Sequence, residues 1–198
     1  MLKSFHQQIF IEAGCDEAGR GCYAGPVFAA AVILPKNFYH KDLNDSKQML
    51  PAKREELRKV IEKNALSFAI AMIDNNEIDE INILRASFKA MHLAIDKLKV
   101  KPELLLIDGN RFIPYKKIAH KCFIKGDGIY ANIAAASILA KTYRDDFMRT
   151  LHEEHPHYNW EKNKGYGTLE HRNAIEKFGL CKYHRKSFDI LPKQIEIL

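Results

Sequence analysis

The run Leu104-Leu105-Leu106-Ile107 carries no polar residue at either parity. A strand of that kind is buried on both faces, which requires helices above and below its sheet. Further strands read at residues 9–15, 27–34 and 66–73, the second closed by Pro35. Helices read at residues 51–63, with Pro51 in the first turn, and at 83–99, where Leu84, Phe88, Met91, Ala94, Ile95 and Leu98 recur at helical spacing. A third helix, residues 133–151, opens on the small-residue stretch AAASILA, which suits close packing on a sheet. A last one, 171–178, stops at Gly179. The order predicts an α/β fold with a mixed central β-sheet flanked by helices. All 198 residues are expected to form a single domain, with about 150–198 as a helical C-terminal part.

Two of these strands end in the same way. Asp16 follows the first, just before Ala18-Gly19, and Asp108 follows the 104–107 run, just before Gly109. Ligands of open α/β sheets lie beyond strand ends, where a glycine leaves room beside a carboxylate. Taken singly, each aspartate reads as a turn residue; together they favour a shared site. Glu17 adjoins Asp16, and neighbours on a strand face opposite sides. Both reach one metal only if the chain turns there or if Glu17 offers its backbone carbonyl. Asp127, in Lys125-Gly126-Asp127-Gly128, is a further acid whose ordinary reading is a turn or a helix cap. Asp145 and Asp146 read as a solvated helix face or as ion-pair partners of Arg144 or Lys141. Crowded acids repel and become a stable site when hard divalent cations neutralise them. Two such ions can act on the two sides of one phosphodiester.

The surroundings are basic. Thirty-one Lys and Arg against 25 Asp and Glu give a formal charge of +6, which favours an anionic partner. Arg20 in a Gly-Arg-Gly turn, Ser46-Lys47, Lys162, Lys164 and Tyr166 all sit near polar or glycine turns. Backbone amides of Gly19, Arg20 and Gly21 suit a sugar-phosphate, and Tyr166 suits stacking on a sugar or base. Each of these alone reads as a solvated loop residue. His152, His155 and His157 flank Pro156, which breaks helical register, so a surface cluster is expected there, while His171 and His184 are read as buttresses of the C-terminal segment. The four cysteines form no CxxC pair and are expected as reduced thiols. The N-terminus has no apolar leader and no run approaches 18 apolar residues, so a cytoplasmic protein with no membrane partner is expected. The terminal PKQIEIL reads as a packed or frayed end, or as a docking segment.

The motifs also resemble a known family, ribonuclease HII. GCDEAGRGCYAGPV resembles its N-terminal signature. Asn44-Asp45-Ser46-Lys47-Gln48-Met49-Leu50, Leu106-Ile107-Asp108-Gly109, KGDGIYANIAAASILAKTYRDD, KGYGTLEH and HRKSF follow in family order from about residue 11 to residue 188. Three positions depart from the usual pattern: Tyr23 stands where Leu is common, and Ile129 and Asn132 where Lys and Ser are common. The resemblance implies a ribonuclease H-like fold and a four-carboxylate catalytic and metal site of Asp16, Glu17, Asp108 and Asp127, holding two Mg²⁺ or Mn²⁺ ions with substrate bound. It implies that Gly19, Arg20, Gly21 and Tyr166 recognise the ribonucleotide 2′-hydroxyl and the RNA–DNA junction, and that Lys47 contacts phosphate. It implies cleavage on the 5′ side of ribonucleotides, in RNA–DNA hybrids and at single ribonucleotides in duplex DNA, by a monomer. The short lead before the first strand favours ribonuclease HII over ribonuclease HIII.

Two other classes compete. A catalytically silent nucleic-acid-binding module on the same fold would keep Arg20, Lys47 and Tyr166 and lack one or more acids, whereas all four are present. A phosphoester hydrolase for small molecules fits poorly with the spread of basic residues and with the GRG and KGYG elements, which suit a polymer.

Overall fold

The structure is a computed structural model describing residues 2–44 and 49–190; Lys47 and the PKQIEIL end lie outside the described residues. Its centre is a five-stranded sheet in the order β3-β2-β1-β4-β5. The strands are β1 (Glu12–Ala18), β2 (Val27–Ile33), β3 (Ser67–Ile73), β4 (Leu104–Asp108) and β5 (Ala119–Phe123). β1, β2 and β3 form an antiparallel meander, while β4 runs parallel to β1 and β5 parallel to β4. The expected mixed sheet is therefore present, and β4 is buried on both faces as its apolar run predicts.

The helices are α1 (Pro51–Asn64), α2 (Asn75–Ile81), α3 (Ile83–Asp96), α4 (Ala131–Glu154), α5 (Trp160–Asn163) and α6 (Leu169–Phe178). Alternation divides the strand side chains between two cores. Ala13, Cys15, Leu105 and Ile107 pack with Ala86, Ala90, Met91 and Ala94 of α3. On the other face Ala30 and Val32 meet the alanines of α4 and Leu57 and Ile61 of α1. Small residues on both partners let α4 lie close to the sheet. At Gly14 the approach is extreme: an added Cβ would stand 2.1 Å from the Asn132 carbonyl carbon and 2.3 Å from the Ile133 nitrogen.

Beyond α4, Met148, Leu151, Tyr158, Trp160, Ala174 and Ile175 build a third core. Thr168 caps α6, its hydroxyl accepting from the His171 amide at 3.3 Å. Gly179 ends that helix at φ 79°.

Several boundaries differ from the sequence reading. The first strand begins at Glu12 and runs to Ala18, so Asp16 and Glu17 lie inside it rather than beyond it. β5 and α2 were not expected. β5 is a short, half-exposed edge strand without apolar alternation. α2 spans about two turns and rests on its Asp74 cap and on buried Ile78. All four cysteines are free. Among the described residues no helix is long and apolar enough to cross a membrane.

Gly14→Ala is expected to lower unfolding free energy by about 3 kcal/mol, because the contact is with backbone that has no rotamer to yield. Urea denaturation monitored by circular dichroism measures it, and an unchanged midpoint would mean that α4 can lift off β1.

Candidate active site

Cys15 faces the α3 core, so Asp16 faces α4. Leu105 and Ile107 face α3 too, which sends Leu106 and Asp108 to the α4 side. β1 and β4 are parallel neighbours with Cys15 opposite Ile107, so the two aspartates emerge side by side at one edge of the sheet. They line a cavity of about 390 Å³ together with Glu17, Gly19, Arg20, Gly21, Ser137 and Tyr166. Three of the four acids read from the sequence, together with the candidate residues Gly19, Arg20, Gly21 and Tyr166, are thus gathered in one place.

Asp16 is 4% exposed, and its charged form is disfavoured. Burial is the main reason that its pKa stands well above the ordinary carboxylate value; the negative charges of Glu17 and then Asp108 add to it. The Ser137 hydroxyl and the Glu17 amide, the latter donating at 2.7 Å, only partly offset this. Asp108 accepts from the Gly126 amide at 2.7 Å, which ties the turn carrying Asp127 to the end of β4.

The other two acids are placed differently. The Glu17 carboxylate faces the α3 side, ion-paired with Arg20 at 3.0 Å, and also borders a second cavity floored by Leu84, Phe88 and Met91. β1 stays extended through Glu17, so the chain does not turn between the two acids. Asp127 lies in the 3-10 turn Gly126–Gly128, 2% exposed and outside the cavity lining. It is not the cap of α4, a place taken by Tyr130. Among the described residues, no group of three or more His, Cys, Asp and Glu side chains stands arranged to hold a metal ion.

The glycine loop between β1 and β2 is held from below by two arginines. Arg185 is fully buried and donates to the carbonyls of Gly25 (3.0 Å), Arg20 (2.8 Å) and Gly19 (2.7 Å). Arg144 donates to Pro26 (3.0 Å), Ala24 (3.2 Å) and Lys164 (2.9 Å). Gly19 has φ 95° and no room for a Cβ, which would stand 2.0 Å from Arg144 Nε. In a planar trans peptide the carbonyl and the following N–H point in opposite directions. With the Gly19 and Arg20 carbonyls turned inward to Arg185, the amides of Arg20 and Gly21 point the other way. Burial pulls the Arg185 pKa down only to about 10, so it stays charged at neutral pH. Two cations therefore lie under the loop.

Arg144, Arg185 and Ser137 were not singled out as site residues from the sequence. Arg144 was weighed as a partner of Asp145 or Asp146. Lys141 instead pairs with Asp145 at 2.7 Å, and Arg58 with Asp146 at 2.6 Å. The only signal for Arg185 was its place in HRKSF. Asn132, one of the three departures, is buried; it accepts from the Leu34 amide at 2.9 Å and donates to the Glu12 carbonyl at 3.2 Å. Tyr23 packs its ring over Gly167. The His155 and His157 rings pack among Tyr158, Trp160 and Phe178.

Arg185→Leu would strand three carbonyls, at about 1 kcal/mol each. The expected loss is roughly 3 kcal/mol of stability, read by denaturant unfolding. The raised pKa of Asp16 carries a pH dependence. Its proton is held more tightly in the folded than in the unfolded chain, so its contribution to stability is full at low pH and is lost as pH rises from the ordinary carboxylate range through the raised folded value. Asp16→Asn should therefore be more stable than the parent at neutral pH without divalent cations, the gap closing in acid. A variant less stable than the parent at pH 7 would contradict this.

The ribonuclease HII family profile matches residues 13–190. Ribonuclease HII of Parabacteroides distasonis is 59% identical over 197 residues, covering 100% of this chain and 99% of that protein. The crystal structure of ribonuclease H2 from Pyrococcus horikoshii OT3 superposes with a TM-score of 0.77 at 22% identity, over 90% of this chain and 94% of that one. Bst-RNase HIII in complex with Mn²⁺ superposes with a TM-score of 0.66 at 19% identity, over 90% of this chain and 67% of that one. The sheet order and flanking helices are thus those of the ribonuclease H-like fold, and the chain belongs to the ribonuclease HII family of ribonucleases.

Proposed function

We propose that this ribonuclease is an endonuclease acting on the RNA strand of RNA–DNA hybrids and on the 5′ side of single ribonucleotides in duplex DNA, with Mg²⁺ or Mn²⁺ as cofactor. The observation that carries the reading is the single cavity in which Asp16 and Asp108 stand beside the arginine-held Gly19–Gly21 loop and Tyr166. It pairs an acidic centre with outward-pointing amides and an aromatic ring, which suits a phosphodiester flanked by a ribose.

The donor set fits hard cations. Asp16 and Asp108 offer oxygen ligands, and a cation would relieve the repulsion that adds to burial in raising the Asp16 pKa. Mg²⁺ is commonly held by one or two carboxylates with substrate phosphates completing its shell, which matches an open pair better than a closed cage. When bound, two divalent ions supply Lewis acidity and charge neutralisation at the scissile phosphate. We assign Glu17 to the site through its backbone carbonyl, since β1 sends its carboxylate to the other face. Asp127 is assigned as the fourth acid on the family resemblance and on the tie of its turn to Asp108. Lys47 is assigned to a substrate phosphate.

The chain's own residues bind and orient. Arg20 and Gly21 amides, with Tyr166, meet the ribose and its 2′-hydroxyl. Lys141 joins the cavity to a groove of about 530 Å³ lined by Arg54, Arg149, Lys162 and Lys164 as well as Glu55, Asp145 and Glu161. That continuation suits a long anionic backbone, with the C-terminal part holding the duplex. Water attacks the phosphorus and the bond to the preceding 3′-oxygen breaks. The products are a 3′-hydroxyl and a 5′-phosphate on the ribonucleotide.

A labelled DNA duplex with one ribonucleotide should be cut once, 5′ to it, in Mg²⁺ or Mn²⁺ and not in EDTA, while an all-DNA duplex stays intact. Affinity should fall steeply with salt, unlike that of a small-molecule hydrolase. Asp108→Asn should keep the fold and lose at least about 100-fold in rate. An uncut ribonucleotide duplex with folded wild-type protein would favour a silent binding module, and normal turnover by Asp108→Asn would move the site elsewhere.

A further inference from the structure

His171 and His184 are fully buried in the C-terminal core, their Nε2 atoms 3.2 Å apart, and neither lines the cavity. Fixed donors determine where their protons sit. The Cys181 amide donates to His184 Nδ1 at 3.0 Å, so that nitrogen is an acceptor. Burial holds His184 neutral, with its pKa pulled down to about 4, so its proton is on Nε2. The Trp160 indole N–H donates to His171 Nε2 at 3.0 Å, which makes that nitrogen an acceptor as well. The His171 proton is then on Nδ1, and Nδ1 stands 2.9 Å from the Tyr166 carbonyl oxygen, which can only accept.

We propose that His171, with its tautomer set by Trp160 and His184, is a positioning residue that orients Tyr166 toward the ribonucleotide. Tyr166 lies between Gly165 and Gly167, which restrain the backbone least, so hydrogen bonds to its own peptide groups fix the backbone from which its ring projects, while the ring hydroxyl meets the buried Cys22. Its amide donates to Asn163 at 2.9 Å. Its carbonyl accepts from the Thr168 amide at 2.8 Å and, on the second lone pair, from His171. Two donors from different directions fix an orientation that one would leave free to rotate. The opposite side of the segment is pinned by the bridge between Cys22 and Tyr166. The 40% exposed Tyr166 ring is thus presented into the cavity from a buried frame. This role rests on the reading of Tyr166 as a sensor of the ribonucleotide.

Two substitutions separate positioning from packing. His171→Asn keeps a donor near the Nδ1 place; His171→Gln keeps an acceptor for Trp160 and loses the donor to Tyr166. On the single-ribonucleotide duplex, His171→Gln should lower kcat roughly tenfold, the worth of about one hydrogen bond, with KM little changed. His171→Asn should stay close to wild type. In a Tyr166→Ala background, His171→Gln should add nothing, since the group it positions is gone. Equal losses for Gln and Asn, or a His171→Gln loss that persists in full without the Tyr166 ring, would overturn the proposal and leave His171 a core residue. Long-range ¹H–¹⁵N NMR reads the tautomers without any need for activity. Protonated Nδ1 on His171 and protonated Nε2 on His184 are expected, and the reverse overturns the relay. Wild-type protein that fails to cut the duplex would instead overturn the function reading, a result distinct from either of these.

Discussion

The contact on which most of the molecule depends is the crossing of α4 over β1 at Gly14. Only a residue without a side chain lets the helix backbone come so near. That approach puts Ser137 against Asp16 and lets Asn132 join the start of β1 to the end of β2. It also places Arg144, further along the same helix, under the glycine loop. One buried helix thus carries a partner for the central acid, a tie between strands and a clamp for the glycine loop. Displacing it would disturb all three together.

The site sets opposite charges on two levels. Carboxylates crowd the sheet edge, where burial and mutual repulsion disfavour their ionised forms. Guanidiniums lie beneath the neighbouring loop, spent on backbone carbonyls rather than on acids. An arginine bound to carbonyls keeps its full charge and presents the far ends of those peptides outward. The arrangement keeps these two guanidiniums off Asp16 and Asp108 and turns the loop amides outward. Had Arg144 been drawn to a carboxylate instead, the loop would have lost one of its two arginine supports.

Legibility from the sequence followed the range of the interactions involved. β4 and the four longer helices were readable because burial imposes a local pattern on them. The start of β1 was misread because Ile9 and Ile11 are apolar yet exposed, Ile9 at 81%, while Asp16 and Glu17 are polar yet belong to the strand. Pairing with β2 and β4 on both sides overrode that local pattern. β5 was invisible because an edge strand on one neighbour needs no alternation. Asp108 was legible as the residue that ends β4 next to Gly109. Arg185 was not: its acceptors lie some 160 positions earlier, and carbonyls leave no side-chain signature.

The same distance in sequence bears on how recognition and chemistry are joined. The acids Asp16 and Asp108 belong to the sheet, which folds around its own two cores. The loop and Tyr166 are held by Arg185 and His171, which belong to the C-terminal core. The Gly165 carbonyl accepts from the Tyr23 amide at 2.7 Å and so binds the glycine loop and the Tyr166 segment to each other. On the proposed reading, a ribose seated between loop and tyrosine would be registered against the sheet only while the C-terminal core is intact. Damage there would be expected to blur selection for a ribonucleotide before it disturbed the acids, because no acid of the site takes its position from that core.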